Sequence, residues 1–275
     1  MPTSPAQLRQ GLGLGAWDDA RILESRAMHP VTFNVLPRLY ALVPCAGVGE
    51  RAGAGQPKQY APLAGQAMVA HTLAALARVT RLSATLVVLA PLDAQFERHL
   101  PGFESERQWL ARCGGDSRAQ SVSNGLDELL ARGAQPHDWV LVHDAARCLL
   151  RPQWVDRLID ACLDDEVGGL LALPLADTLK QALVDDAAST CVPSPRVAST
   201  VPRETMWAAQ TPQMFRLGLL RPALAHAGAG VTDESSAVEA LGHAPLLVRG
   251  EAENFKLTYP GDFALAERLL RISSP

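Results

Sequence analysis

The sequence predicts an α/β protein: a mostly parallel, twisted sheet with helices on both faces and a β-arm leaving the main body. Three observations carry this. Short, almost wholly apolar runs recur along the chain, helix-periodic stretches separate them, and one polar, proline-containing segment breaks the alternation. Nearly continuous apolar runs are the signature of strands buried on both faces of a parallel sheet. Strands alternating with helices imply βαβ crossovers, and ligands of such sheets bind at the carboxyl ends of the strands.

Taken in order, residues 1–36 have short apolar spacings, Gly11, Gly13 and Gly15, and no strand-like run. They read as a poorly ordered extension, with Met28 as an alternative start. The first strand is Leu-Tyr-Ala-Leu-Val-Pro-Cys at 39–45, which breaks into Ala46-Gly47-Val48-Gly49. Further strands are expected at 84–89, 139–143 and 169–174, with a weaker one at 246–249. Helices are expected at 69–79, 121–130, 154–163, 235–241 and 263–270. The segment at about 175–204 is polar, contains Pro193, Pro195 and Pro202, and has β-favouring ends. It reads as an extended arm suited to a dimer contact. No compositional break divides the rest, so 37–275 is expected to be one domain.

Composition narrows the function classes. With 48% hydrophobic and 20% charged residues the chain can bury a sizeable core. A net charge of −4 is too weak and too mixed to attract nucleic acid or an anionic membrane, so neither is expected as a partner. The five cysteines are scattered without a C-x-x-C pair, and the seven histidines form no ligand-spaced cluster. That pattern fits a reducing compartment and neither a disulfide framework nor a zinc site. No apolar run is long enough to span a bilayer, and the N-terminus lacks a basic-then-apolar order, so a cytoplasmic location is expected.

The chemistry begins at the loop after the first strand, Pro44-Cys45-Ala46-Gly47-Val48-Gly49-Glu50-Arg51-Ala52-Gly53. Glycines there allow the backbone N–H groups to turn inward around an anion. A dinucleotide fingerprint fails because Ala52 stands where the third glycine is needed, and a P-loop fails for want of G-K-[ST]. Arg51 and Lys58 instead supply two positive charges close to the loop, which suits a triphosphate. The alternative is an ordinary glycine-rich surface turn.

G-x-G-x-R followed by Pro57-Lys58 resembles the signature of nucleotidyltransferases that activate sugar phosphates. From about residue 39 to residue 270 the chain resembles the 2-C-methyl-D-erythritol 4-phosphate cytidylyltransferase family. Gly114-Gly115-Asp116-Ser117-Arg118-Ala119-Gln120-Ser121-Val122 is similar to that family's Gly-Gly-x-x-Arg-x-x-Ser-Val, and Val142-His143-Asp144-Ala145-Ala146-Arg147 to its most distinctive motif. Asp177-Thr178-Leu179-Lys180, Thr200-Val201-Pro202-Arg203, Gln210–Phe215, Thr232-Asp233-Glu234 and Asn254–Thr258 complete the match in family order. Cys148 departs from the pattern, which usually has Pro there, and is expected to loosen the following turn.

The resemblance implies a Rossmann-like nucleotidyltransferase fold and transfer of CMP from CTP to a polyol phosphate. It puts the nucleotide on Pro44, Cys45, Ala46, Gly47, Gly49, Gly115, Asp116, Ser121 and Ala145, and the acceptor on Asp144, Arg147, Thr178, Arg203 and Thr232. Thr178 and Arg203 would reach into a neighbouring subunit's site in a homodimer. Arg51, Lys58 and Lys256 would stabilise charge on the reacting phosphates, and Asp144 would hold Mg²⁺, which takes one or two protein carboxylates plus phosphate oxygens. Structural roles compete at several positions: Ser117 or Ser121 as a helix cap, Asp144 and Arg147 as an ion pair, Thr232 and Asp233 as an N-cap, and Lys256 as a solvated lysine on a β-like run. Two rival functions are a cytidylyltransferase acting on ribitol 5-phosphate and a non-catalytic nucleotide-binding module. Val at the second alanine of the His-Asp-Ala-Ala-Arg motif is typical of the first rival, and erosion of the charged positions is expected of the second; neither is seen here.

Overall fold

A buried interior strand of the main sheet organises the elements around it. In the computed structural model the described residues are 36–47, 57–183, 195–226 and 231–273, and residues 37–275 form one compact unit. Strand β1 (Leu39–Cys45) alternates strictly: Ala41, Val43 and Cys45 enter one apolar layer, Tyr40 and Leu42 the other. It is followed by a single 3₁₀ turn (Lys58–Tyr60), a two-residue hairpin of β2 (Pro62–Leu63) and β3 (Gln66–Ala67), and helix α1 (Met68–Ala77). Next come β4 (Ala84–Leu89), α2 (Phe96–His99), β5 (Gln108–Ala111), α3 (Arg118–Ala131), β6 (Trp139–Val142), α4 (Pro152–Cys162) and β7 (Gly168–Pro174). The chain closes with β8 (Leu179–Ala182), β9 (Val197–Val201), β10 (Trp207–Arg216), α5 (Leu217–His226), α6 (Glu234–Glu239), β11 (Leu246–Arg249) and α7 (Pro260–Ser273).

Among the described residues seven strands form the main sheet, in the order β11-β7-β10-β6-β1-β4-β5. β1 runs parallel to β4 and β6, β4 to β5, and β7 to β11; only β10 runs antiparallel to its neighbours β6 and β7. The expected mostly parallel sheet is therefore present. From β1 the chain steps outward through β4 to β5 and then returns to β6 on the other side, so the strand order reverses between β1 and β6. The carboxyl ends at such a reversal leave a crevice that sheet topology itself cannot fill.

Helices α1 and α4 cover one face through Val69, Leu73 and Leu76, and Trp154, Val155, Leu158 and Ile159. Helices α3, α5 and α6 cover the other through Val122, Leu126 and Leu129, Leu220 and Ala223, and Ala237 and Val238. Gly125 lets α3 lie flush on the sheet, because a Cβ there would come within 2.7 Å of Val88 and 2.8 Å of Leu42. A third cluster joins α7 to the β2–β3 hairpin and contains Leu63, Met68, Leu149, Leu257 and Ala266. Cys148 lies inside this cluster, and its burial pushes the thiol up to about 12. Its side chain thus serves as apolar packing beside the His-Asp-Ala-Ala-Arg turn.

β8 and β9 form a separate two-stranded antiparallel sheet within the segment expected to be an arm. Lys180 Nζ donates to Thr200 Oγ1 across it at 2.8 Å, and most of its side chains are exposed.

Candidate functional site

The crevice at the carboxyl ends of β1 and β6 holds a cavity of about 570 Å³, lined by the end of β1, the start of α3 and the turn after β6. Each wall has a local cause. Gly114 lies so close to the first loop that a Cβ would meet Ala46 and the carbonyl oxygen of Leu89, so only glycine lets the two loops share the crevice. Ser117 caps α3 by accepting from the Gln120 N–H at 3.0 Å. Ser121 sits one turn inside the helix, where its hydroxyl donates to Ser117 O at 2.9 Å and accepts from the Gly115 N–H at 3.1 Å. The hydroxyl therefore fixes the Gly115 loop from within. Gln59, buried on the 3₁₀ turn, donates to Cys45 O at 3.0 Å and ties the Lys58 segment to the end of β1.

The turn after β6 is built with nearly every main-chain group engaged. Asp144 N–H donates to Thr211 Oγ1 at 3.0 Å, Thr72 Oγ1 donates to Ala145 O at 2.9 Å, and Leu257 N–H donates to Ala146 O at 2.9 Å. Arg147 N–H donates to Asp144 O at 3.0 Å and closes the turn. Thr211 reaches this position because the register of β10 against β7 shifts between Ala209 and Gln213, an irregularity of the kind that re-aims side chains near sites.

Asp144 is the electrostatic centre. Its Oδ1 accepts from Arg118 Nε at 2.8 Å and its Oδ2 from Lys256 Nζ at 2.7 Å. Arg118 turns its remaining fork to Glu234, NH1 to Oε1 at 2.6 Å and NH2 to Oε2 at 2.9 Å, and the Glu234 side chain is 0% exposed. Burial alone would raise Asp144, but the attraction of Arg118 and Lys256 outweighs it and holds the carboxyl far below the usual carboxylate range. Burial would likewise lower Arg118, but Glu234 and Asp144 together push it up. Burial pushes Glu234 up against the pull of Arg118. Two cations and two carboxylates thus form a balanced row that ends at the half-exposed Lys256. Lys58 Nζ donates to Leu257 O, which brings a second lysine to the same wall.

Of the residues expected from the sequence, Pro44, Cys45, Ala46, Gly47, Lys58, Gly115, Asp116, Ser121, Asp144, Ala145 and Lys256 line this cavity together. Gly49 and Arg51 lie outside the described residues. Arg147 does not pair with Asp144; it donates to Asn254 O at 2.8 Å and Ala209 O at 3.1 Å and acts as a strut between segments. Thr232 is exposed, with its N–H on Ser236 Oγ at 3.1 Å, while Asp233 caps α6 in a capping box. Thr178 and Arg203 are exposed beside the β8–β9 sheet and do not line the cavity. Lys256 stands on an irregular loop after β11, not on a β-like run, because that loop is held by Asn254 and by Leu257 bonding to Ala146. Arg118 and Glu234 are not among the residues expected from the sequence, although both stand inside the family-like motifs at 114–122 and 232–234. Their partners lie 26 and 116 residues away, beyond any local pattern.

Among the described residues no three His, Cys, Asp or Glu side chains come together as a metal cluster. The donor chemistry still suits a hard cation that arrives on a polyphosphate and takes one protein carboxylate, since a carboxylate has about four lone-pair sites and Asp144 uses two here.

A doubly wound sheet with a cation-lined crevice at its switch point defines a nucleotide-binding α/β protein. Comparison with known proteins makes this specific. The family model for 2-C-methyl-D-erythritol 4-phosphate cytidylyltransferase matches residues 39–272, and the chain belongs to that family. It is 51% identical over 237 residues to the 2-C-methyl-D-erythritol 4-phosphate cytidylyltransferase of Burkholderia cenocepacia, covering 85% of this chain and 96% of that one. It is 58% identical over 241 residues to the bifunctional enzyme IspD/IspF of Albidiferax ferrireducens, covering 88% of this chain but 55% of that relative's length. Among solved structures, a 4-diphosphocytidyl-2C-methyl-D-erythritol synthase superposes with a TM-score of 0.73 at 38% identity, covering 86% of this chain and 99% of the other.

Proposed function

We propose that this protein transfers CMP from CTP to 2-C-methyl-D-erythritol 4-phosphate, giving 4-diphosphocytidyl-2-C-methyl-D-erythritol and pyrophosphate. The observation that carries the reading is the cavity at the β1/β6 switch point, in which Arg118 and Lys256 flank Asp144 and Lys58 lines the same wall, in a chain of this family. The acceptor's phosphate attacks the α-phosphorus of CTP, and pyrophosphate leaves in line. A phosphate monoester with a second pKa of about 6 is largely a dianion at neutral pH, so no general base is needed. Positioning and charge stabilisation then supply most of the rate.

Lys58 and Lys256, with Arg51 from the strand-end loop, neutralise charge developing on the phosphates. Lys256 is suited to this because it already sits at the end of the ionic row, half in solvent, and can exchange part of its attraction to Asp144 for the triphosphate. Asp144 is the residue that would hold a Mg²⁺ ion arriving with CTP, and such an ion would supply further neutralisation of the polyphosphate. The cytosine lies against the Gly115–Ser121 segment, where Gly115 and the internally bonded Ser121 hold the loop flat. Thr178 and Arg203 bind the acceptor's phosphate from a second copy of the chain, which accounts for their exposure away from their own cavity. No described helix is long and apolar enough to cross a membrane.

The test is pyrophosphate release from CTP and Mg²⁺ with 2-C-methyl-D-erythritol 4-phosphate or ribitol 5-phosphate as acceptor. Release with the first and little with the second is expected. Preference for ribitol 5-phosphate, or CTP binding without release, defeats the reading.

A further inference from the structure

The turn that carries Asp144 is gripped at both ends by a side-chain relay whose direction follows from donor and acceptor chemistry. His143 Nε2 lies 3.2 Å from Arg147 O, and His143 Nδ1 lies 3.1 Å from Thr211 Oγ1. A carbonyl oxygen only accepts, so the ring proton sits on Nε2. In a neutral ring Nδ1 is then an acceptor, and Thr211 must donate to it. The Thr211 oxygen in turn accepts from the Asp144 N–H at 3.0 Å. The relay reads, without a gap or a conflict, from Asp144 N–H through Thr211 and His143 to Arg147 O.

All of it is dry: His143 is 0% exposed, Thr211 4% and Asp144 7%. Thr211 is itself held from behind, because Asn254 Nδ2 donates to Thr211 O at 2.9 Å. The first and last residues of the turn are therefore set at a fixed separation against β10, and the Asp144 carboxylate leaves that turn toward Arg118 and Lys256.

We infer that Thr211 and His143 are a positioning pair for the phosphoryl-transfer site, fixing the turn at 144–147 so that the Asp144 carboxylate keeps its place between Arg118 and Lys256. This rests on the reading of Asp144 as part of the reaction centre. Neither residue touches substrate; each acts through the turn.

Thr211→Val preserves shape but leaves His143 Nδ1 and the Asp144 N–H without partners, whereas Thr211→Ser keeps the hydroxyl. In the full-length protein at a temperature where each variant is folded, Thr211→Val is expected to lower kcat by about 10–100-fold with the KM for CTP changed less than about threefold, because small misplacements near reacting groups act on turnover. Thr211→Ser should stay within about threefold of the parent. The ¹⁵N spectrum of His143 should show an Nε2–H tautomer with a hydrogen-bonded Nδ1 in the parent and in Thr211→Ser, and a shifted Nδ1 in Thr211→Val. Should Thr211→Val not fold, His143→Phe, which keeps the bulk and removes both bonds, is expected to show the same loss of kcat. A folded Thr211→Val or His143→Phe with parental kcat, or an Nδ1–H tautomer in the parent, overturns the inference. Asp144→Asn separates the two levels: parental turnover there overturns the reading of Asp144 itself, while impaired Asp144→Asn beside a fully active Thr211→Val overturns the positioning role alone.

Discussion

Replacing Glu234 by glutamine removes one of the two carboxylates that balance Arg118 and Lys256, while keeping almost the same volume. The guanidinium of Arg118 loses a bidentate partner whose bonds are 2.6 and 2.9 Å long and is left with Asp144, which Lys256 shares. Removing one member of a buried ion pair costs about 3–5 kcal/mol when the stranded charge is fully enclosed. Arg118 keeps 28% of its side-chain exposure and one anionic partner, and glutamine can still accept one hydrogen bond. These reduce the expected loss to about 2–3 kcal/mol, near the worth of one charge-assisted hydrogen bond in a buried site. Equilibrium urea unfolding at pH 7, followed by tryptophan fluorescence, reads the loss directly. The double variant Glu234→Gln with Arg118→Met strands no charge and should be more stable than the sum of the two single losses predicts. A loss below about 0.5 kcal/mol for Glu234→Gln, or strict additivity in the cycle, would refute the idea that this row of charges is a coupled unit.

Three further outcomes are expected. His143 has a folded pKa of about 4 against an ordinary 6.5, so between those pH values the unfolded chain binds a proton that the folded chain refuses. Its contribution to stability is complete above about pH 6.5 and falls by about 3 kcal/mol as pH drops to 4, and His143→Phe should lack that part of the slope in parallel urea titrations. Gly114→Ala places a methyl group against Ala46 and the Leu89 carbonyl, so unfolding assays should show about 1–3 kcal/mol of lost stability and steady-state kinetics a raised KM for CTP. Lys58→Ala should lower kcat by roughly 10²–10³ with an unchanged circular dichroism spectrum, and near-parental turnover would remove Lys58 from the chemistry.

Much of the framework was legible because it follows from local pattern. The run at 39–45 coincides with β1 and that at 84–89 with β4, since both are buried on two faces and almost wholly apolar, with Thr85 the one hydroxyl in β4. Helices expected at 69–79 and 154–163 form at 68–77 and 152–162, where apolar spacing alone decides the face. β10 was not legible. Gln210, Thr211, Pro212 and Gln213 break its apolar run, yet Gln210, Thr211 and Gln213 are buried, because each polar group finds a partner that is distant in sequence. Gln213, for example, donates to Asp233 at 2.8 Å and accepts from the Ser235 N–H at 2.7 Å, holding the start of α6. Helix α5 was hidden by Gly218 and by Pro222 inside it, and β5 by its four-residue length at the sheet edge.

The site shows the same division. The strand-end loop, the Gly115 loop and Asp144 could be placed because each follows a buried strand or opens a helix. The ionic row could not, since Arg118, Asp144, Glu234 and Lys256 come from four separate segments and meet only when the sheet is assembled. The sequence signal that was present is the arginine of Gly-Gly-x-x-Arg-x-x-Ser-Val: a charged residue in the first turn of a helix at a strand's carboxyl end needs an acidic partner or an anionic ligand.

The central claim is that this crevice joins CTP to 2-C-methyl-D-erythritol 4-phosphate. Following both phosphorus resonances and pyrophosphate in one ³¹P NMR time course, with CTP, Mg²⁺ and that acceptor, measures it most directly. Expected is the appearance of a diphosphate esterified at both ends and of pyrophosphate in equal amounts as CTP and the monoester disappear together. Consumption of CTP without loss of the monoester, or no consumption at all with a folded, CTP-bound protein, contradicts it.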